Sequence, residues 1–207
     1  LTGRLTSARQ ETQEIRLIVR AADQENAIDE SGERQREARL AAWAAATAVL
    51  RPDPGAPLVS IVNRAVGDVG SVALLEGPED EWLTPGAGVP LYLTVWARDA
   101  LTSAWQAGIF DGGEMLADVL RFLARRQGTR VDPERDEEPG RILNQAKLDP
   151  LSRLGVTPFR RNYADFASPF MFIVGLGYHF SLTGDRESLR EHWEAARVDL
   201  SGLLTPP

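Results

Sequence analysis

One stretch of the sequence decides the fold: Pro169-Phe-Met-Phe-Ile-Val-Gly-Leu-Gly-Tyr-His-Phe180. As a helix it is apolar almost all round, and such a helix is expected to be enclosed by other helices on every side. Thr183-Gly-Asp185 then predicts a tight turn whose aspartate caps a following helix. That next helix has an ordinary one-sided apolar stripe, formed by Leu189, Trp193, Ala196 and Leu200. The sequence therefore predicts an inner helix followed by an outer helix.

Further helical patterns lie upstream of this pair. Apolar residues recur at steps of three and four from Leu58 to Ala73, and further helices are predicted from 97 to 110 and from Met115 to near Gly128. Asp111-Gly-Gly113 predicts a turn between the last two. Inner and outer helices joined as antiparallel hairpins are what an α/α toroid requires. The predicted fold class is mainly α, as part of such a toroid.

The remaining segments are less regular. Alternation of Ile15, Leu17 and Val19 predicts a half-buried strand over 12–20, whose partners either lie upstream and have been removed or cannot be identified. A charged linker is predicted from 23 to 39, before an alanine-rich helix over 40–50 that the prolines of 52–57 stop. Glycines and prolines predict an irregular loop over 76–93. The polar segment 129–162 is long enough to be either functional or disordered.

The composition excludes several classes of function. The 207 residues carry a net charge of −7, so there is no basic footprint for nucleic acid or an anionic membrane. No apolar run reaches the roughly 20 residues of a membrane span. The sequence has no cysteine, which suits a reducing, cytoplasmic compartment, and its two histidines cannot build a histidine-rich metal site. We predict no metal and no cofactor, with His179 in the core and His192 on the surface.

Three polar clusters precede helices or lie in the long loop. At Arg98-Asp99 the ordinary interpretation is that Asp99 caps a helix and Arg98 is a solvated neighbour. The alternative is a sugar site, because a guanidinium donates to vicinal hydroxyls, a carboxylate accepts from them, and Tyr92 and Trp96 offer apolar ring faces.

The other two clusters carry similar alternatives. The acidic run 136–145 is either a solvated face or a loop whose Pro139-Gly140 turn aims Glu138 or Arg141 inward. Tyr163 and Asp165 precede the buried helix, and Asp165 either caps that helix or lines a cleft. Together the three clusters predict one cleft at the rim where inner helices begin.

Several motifs occur together in an order and spacing similar to one family. They are Gly86-Ala-Gly-Val-Pro-Leu-Tyr-Leu-Thr-Val-Trp-Ala-Arg-Asp99, Glu138-Pro-Gly-Arg-Ile-Leu143, Tyr163-Ala-Asp-Phe-Ala-Ser-Pro-Phe170 and Thr183-Gly-Asp185. Over 58–200 the chain resembles the glucosidase domain of bacterial glycogen-debranching, amylo-α-1,6-glucosidase-like proteins. The family usually has glycine where this chain has Ala97, and its third aspartate commonly lies directly before the alanine, where Phe166 intervenes here.

The resemblance implies a six-hairpin, (α/α)6 glycosidase toroid. It implies that 1–21 end an N-terminal β-sandwich domain, that 22–57 form a linker and linker helix, and that 58–207 form the first half of the toroid. Arg98 and Asp99 would hold the terminal glucose of an α-glucan or oligosaccharide, near Tyr92, Trp96 and Asp165. The acid and base carboxylates that hydrolysis needs would lie on later loops, so we expect a fragment that lacks its C-terminal half or forms a homo-oligomer. The alternative is a noncatalytic helical module that assembles with another chain.

Overall fold

The structure, a computed structural model, describes residues 2–6, 12–16, 30–50, 57–76, 82–89, 92–147, 152, 154–156 and 160–204. The chain divides into two compact units, Leu1–Gln35 and Arg36–Pro207. The predicted strand positions Leu17 and Val19, the start of the predicted linker and the proline stop at 52–56 lie outside the described residues. The part that the structure describes is mainly helical, as the sequence predicts.

The first unit contains an antiparallel strand pair. β1 (Thr2–Thr6) pairs with β2 (Thr12–Arg16), with Thr2 opposite Arg16 and Thr6 opposite Thr12. Of the two alternatives for this strand, the structure shows the second, because β2 pairs with a segment of the chain that the sequence did not identify as a strand. The partner strand is short and largely polar, so it lacks the apolar alternation by which a strand is recognised from sequence.

Two helices and a hairpin come next. α1 (Glu30–Ala46) begins well before the alanine-rich segment, so the predicted linker is wrong from residue 30 onward. Glutamate, arginine and glutamine are good helix formers, and their charge does not prevent a helix. α2 (Pro57–Ser71) covers most of the predicted helix, but its apolar stripe is not buried: Leu58 and Ile61 are exposed. The predicted irregular loop instead contains β4 (Trp82–Pro85), which pairs antiparallel with β3 (Ala73–Glu76) at the end of the predicted helix; buried Trp82 and Leu83 join the core.

Four helices form two hairpins. β5 (Val95–Trp96) leads into α3 (Ala97–Asp111), which is followed by α4 (Glu114–Ala124) after two glycines with positive φ, Gly112 and Gly113. Such short connections favour antiparallel helices. β6 (Gln145–Ala146) interrupts the long polar segment. α5 (Ala167–Thr183) and α6 (Arg186–Leu204) form the second hairpin, around Gly184.

The core lies mainly between α3, α4 and α5. Its fully buried side chains include Leu101, Met115, Leu116, Leu120, Phe122, Leu123, Ile142, Leu143, Tyr163 and Phe172. The predicted stripe of α4 is therefore buried as expected. Asp111 joins this core to α1, because its carboxylate accepts hydrogen bonds from Trp43 Nε1 at 3.0 Å and from the Gly113 amide at 2.8 Å.

Two helices differ from their predicted burial. α5 is not enclosed on every side, since Phe170 and Val174 are 55% and 53% exposed. α6 buries a different face from its apolar stripe: Trp193 is exposed, while Ser188, His192 and Asp199 are buried. Of the predicted stripe, only Ala196 is buried and Leu189 is partly buried against the core, so the buried face of α6 is rotated toward its polar side. His179 lies in the core as predicted, but the prediction of a surface His192 is wrong.

Candidate functional site

Helices α3 and α5 begin at the same end of the structure. Gly175 of α5 lies against Leu101 of α3, and Gly108 of α3 lies against Leu182 of α5. From the first contact to the second, residue numbers increase along both α3 and α5, so the two helices run parallel. Their first turns, which carry Arg98 and Asp165, therefore face the same side of the molecule.

Backbone hydrogen bonds join the segments that lead into these helices. β5 pairs with β6, placing Trp96 opposite Gln145. The Ala97 amide donates to Asn144 O at 2.8 Å, and the amides of Asn144 and Gln145 donate to Asn162 O at 2.8 and 3.0 Å. The start of α3, the long loop and the approach to α5 are thus hydrogen-bonded to one another, and we call these joined segments the rim.

Asp99 does not cap α3. The N-cap position is Trp96, whose side chain makes no capping hydrogen bond, and Asp99 lies in the first turn. Asp99 is half-buried and Arg98 exposed. Across the residues that the structure describes, no hydrogen bond to the Asp99 carboxylate is found. The simple capping interpretation is therefore wrong for Asp99, which leaves its carboxylate oxygens without a structural partner in this region.

Asp165 does cap the following helix. Its Oδ1 accepts from the Ala167 amide at 3.0 Å, and its Oδ2 accepts from the Ser168 amide at 3.0 Å and from Ser168 Oγ at 2.6 Å. Burial alone would raise the pKa of Asp165, but these hydrogen bonds and the positive charge of Arg98 together lower it below its usual value.

Tyr92 and Trp96 form an aromatic pair beside Arg98. Their ring centroids are 6.4 Å apart at an interplanar angle of 65°, which is an edge-to-face contact. Tyr92 is 58% exposed, whereas Trp96 is half-buried. The Trp96 Nε1–H is buried and has no hydrogen-bond acceptor among the described residues. A buried indole donor normally has a partner.

The Pro139-Gly140 turn aims Arg141, and not Glu138, toward the protein. Gly140 has a φ of 90° and lies against Val198 of α6, leaving no space for a side chain. The Arg141 side chain is largely covered, its guanidinium lies 5.3 Å from the centroid of the Phe166 ring, and its Nη1 lies 3.5 Å from Glu138 Oε2. Glu138 itself is exposed. The structure thus links Glu138 to the rim only through Arg141.

Tyr163 is a structural residue. Its side chain is fully buried, its hydroxyl donates to Arg126 O at 2.8 Å, and its amide donates to Arg135 O at 2.9 Å. Burial raises its pKa, with the negative charge of Glu137 adding to the effect. With no exposed surface, the side chain cannot contact a ligand, and the prediction that it binds substrate is wrong. Its role is to hold the long loop.

A second polar site, which the sequence interpretation missed, surrounds Asp118. Asp118 Oδ2 accepts from Arg39 Nη2 at 3.0 Å and from the Leu83 amide at 2.9 Å, while Oδ1 accepts from Arg121 Nη1 at 3.2 Å. Burial raises the pKa of Asp118 against these contacts. The cluster lines a cleft of about 710 Å³ with Trp82, Glu114, Ala117, Arg125 and Glu191.

The charged side chains that line this cleft are mainly paired with one another. Arg39 also pairs with Glu114 at 2.8 Å, and Arg121 lies 3.9 Å from Glu191. The cluster therefore braces α1, β4 and α4. One signal was available in the sequence, because Asp118 interrupts the apolar stripe of a helix that is otherwise buried.

The rim also contains Asn144, which the sequence analysis did not single out. Its Nδ2 donates to Asn162 Oδ1 at 3.3 Å and to Ala164 O at 3.4 Å, so it holds the approach to α5 in place. Within the described ranges, no group of three histidine, aspartate or glutamate residues is placed to hold a metal ion. In the same part of the chain, no helix has both the length and the apolar character that crossing a bilayer would require.

Comparisons with known proteins identify no relative. No family model matches the chain, and a search of curated proteins finds no match.

Proposed function

We propose that the chain is the sugar-holding part of a glycoside hydrolase of the glycogen-debranching type, acting on α-glucosidic bonds in glucans or oligosaccharides. In this proposal α3 and α5 are inner helices of an (α/α)6 toroid, and α4 and α6 are the outer ones. The absence of cysteine suits the cytoplasmic setting that such a role implies. No nucleic acid or membrane takes part.

One observation carries the proposal: the segments that lead into two parallel helices are hydrogen-bonded to each other, so that Arg98, Asp99 and Trp96 share one rim with Asp165. The Asp99 carboxylate and the Trp96 Nε1–H have no protein partner among the described residues, and buried or half-buried polar groups of this kind commonly have one. Ligand hydroxyls would supply these partners.

The rim groups have complementary roles toward a pyranose ring. The Arg98 guanidinium donates hydrogen bonds in a fixed fork, and the Asp99 carboxylate accepts from neighbouring hydroxyls. The exposed Tyr92 ring provides an apolar surface for the C–H groups of the sugar. The oxygens of Asp165 already cap α5. Asp165 therefore contributes only through its negative charge, which the positive charge of Arg98 offsets. Glu138 contributes only through Arg141.

Hydrolysis also needs two carboxyl groups on opposite sides of the scissile bond, separated by roughly 6.5 to 9.5 Å for inversion. The proposal assigns neither of them to the described residues. Its direct test is therefore sugar binding, with turnover as a separate readout.

Isothermal titration of the 207-residue chain with maltotriose should detect binding, accompanied by a change in tryptophan fluorescence. Arg98→Gln should weaken it by at least tenfold, since a hydrogen bond to a charged group contributes about 1.5–3 kcal/mol. Arg64→Gln is a matched control, because Arg64 is an exposed helical arginine paired only with Asp68 among its described neighbours. Absence of binding by the wild-type chain, or equal binding by both variants, would contradict the proposal.

The second candidate function is a noncatalytic helical module that assembles with another chain. The braced cleft around Asp118 favours it, because a set of mutually paired charges rigidifies a scaffold without offering a free catalytic group. Sugar binding by the isolated chain without any glucose release is compatible with both candidates. Glucose release that is lost in Asp99→Asn would exclude the noncatalytic one.

A further inference from the structure

An apolar surface runs along the two inner helices on the side that no described element covers. It consists of Trp105 and Ile109 on α3 and of Phe166, Phe170 and Val174 at the start and along one side of α5, and we name it the α3–α5 face. Their exposed fractions range from 39% for Trp105 to 76% for Phe166. The two rows are neighbours, because the ring centroids of Trp105 and Tyr178 are 5.1 Å apart.

The face carries no ionised side chain along α5. From Ala167 to Thr183 the helix contains no aspartate, glutamate, lysine or arginine. A partner with a charged recognition surface would therefore find no counter-charge along this helix, whereas a second identical face would meet it without repulsion. At its Phe166 end the face lies beside the Arg141 guanidinium, so two copies would pair away from that end, and a two-fold axis brings the same patch of both copies together.

The size of the face also fits pairing of two copies. Large side chains that are about half exposed leave roughly 100 Å² each in water, so the five residues expose about 500 Å² per copy. Two copies would bury roughly 1,000 Å², which is the lower bound for a specific interface, whereas a single patch of this size is at the upper end for a monomer. Gly177 lies one turn beyond Val174, is exposed, and has no atom within 4 Å of the position of a Cβ. A second helix can therefore approach closely there.

We propose that the α3–α5 face is a dimer interface at which a second copy of this chain packs through a two-fold axis near Val174 and Gly177. The proposal is independent of sugar binding, because it uses neither Arg98 nor Asp99.

Sedimentation equilibrium of the whole chain across a concentration series should fit a monomer–dimer equilibrium. Val174→Lys should shift the dissociation constant at least a hundredfold toward monomer, because it places a charge at the centre of the interface. Val131→Lys is the matched control: Val131 is also an exposed valine, at 73%, but lies in the long loop. It should leave the equilibrium unchanged. Circular dichroism of both variants should match the wild type.

A cross-linking test locates the axis. Since the sequence has no cysteine, Gly177→Cys introduces a single thiol, which should form a disulfide-linked dimer on mild oxidation if the two copies meet at this position. Val131→Cys should not. A monomeric wild-type chain, assembly that grows beyond dimers, or a Val174→Lys variant that dimerises like the wild type would each overturn the proposal.

Discussion

The buried carboxyl group of Asp199 should make the stability of the protein depend on pH. Asp199 is 2% exposed on α6, and its Oδ2 has no hydrogen-bond partner within the described part of the chain. Burial raises its pKa from the ordinary 3.8 to about 7, against a hydrogen bond from the Ile142 amide and the positive charge of Arg141. The folded protein therefore holds this group protonated over a range in which the unfolded chain ionises it.

The sign of the effect follows from the raised pKa. Below about pH 4 the group is protonated in both states and costs nothing. As pH rises from 4 to 7, only the unfolded state gains the charge, so the free energy of unfolding falls, and the loss levels off above pH 7. With 1.36 kcal/mol per pKa unit, the loss amounts to roughly 4 kcal/mol at pH 8.

Asp199→Asn removes this loss while keeping an oxygen that can accept from the Ile142 amide. We expect the variant to be more stable than the wild type at pH 8 by about 2–4 kcal/mol, and the difference to fall toward zero at pH 4. Urea unfolding of both proteins at several pH values measures it.

Two buried histidines have the opposite effect on how stability depends on pH. The effect of Asp199 is therefore measured as the difference in the free energy of unfolding between the wild type and Asp199→Asn. Burial lowers the pKa of both His179 and His192, so their contribution to stability is present above pH 6.5 and is lost as pH falls below it. The pKa of His179 also responds to the charges of Asp111, Asp185 and Arg121. The pKa of His192 also responds to the charges of Glu191, Arg121, Arg125 and His179. These histidine contributions are the same in both proteins, so they cancel when the free energy of unfolding of the wild type is subtracted from that of Asp199→Asn.

Asp68→Asn is the matched control, because it removes one exposed carboxylate from α2. Its difference from the wild type should change little between pH 4 and 8. A stability difference for Asp199→Asn that is the same at pH 5 and pH 8 would refute the assignment of a protonated Asp199.

Further predictions concern individual contacts. Gly140→Ala should destabilise the fold by at least 1 kcal/mol in urea unfolding, since Gly140 has a positive φ and a Cβ there would lie 2.6 Å from Val198 Cγ1. Asp165→Ala should cost about 1–2 kcal/mol in urea unfolding through loss of a helix cap, and equal stability of variant and wild type would argue against the capping bonds. Asp118→Ala should cost about 1–3 kcal/mol, because it leaves the buried Leu83 amide without its acceptor, and a loss below 1 kcal/mol would show that the cluster does not brace the fold.

Local features of the sequence predicted the helices well. The position of α2, the buried stripe of α4 and the start of α3 at Ala97 follow from residues within a few turns of each other, whose periodicity is local. Strand pairs were predicted poorly. β1 with β2 and β3 with β4 depend on partners outside a local window, and short strands carry too few residues for a clear alternation.

At the candidate site, too, the sequence predicted the local features but not the contacts between distant segments. The sequence indicated that Arg98, Asp99 and Asp165 precede or begin helices, and that Pro139-Gly140 turns the chain. The sequence did not distinguish an aspartate that caps a helix from one that does not, since it offered capping for both. In the structure Asp165 caps α5, whereas Asp99 does not cap α3. Capping depends on backbone geometry within one residue, which a residue type alone does not specify.

The sequence by itself determined the mainly helical class, the positions of the hairpin turns and the absence of a basic surface, because these depend on local propensity, periodicity and composition. Only the tertiary structure decided which residues meet. It placed Tyr163 in the core, joined the segments that lead into α3 and α5 by hydrogen bonds, buried His192 and Asp199 on a polar face of α6, and left one side of α5 in water. These outcomes depend on contacts between segments far apart in the chain, and the same local pattern is compatible with several such arrangements.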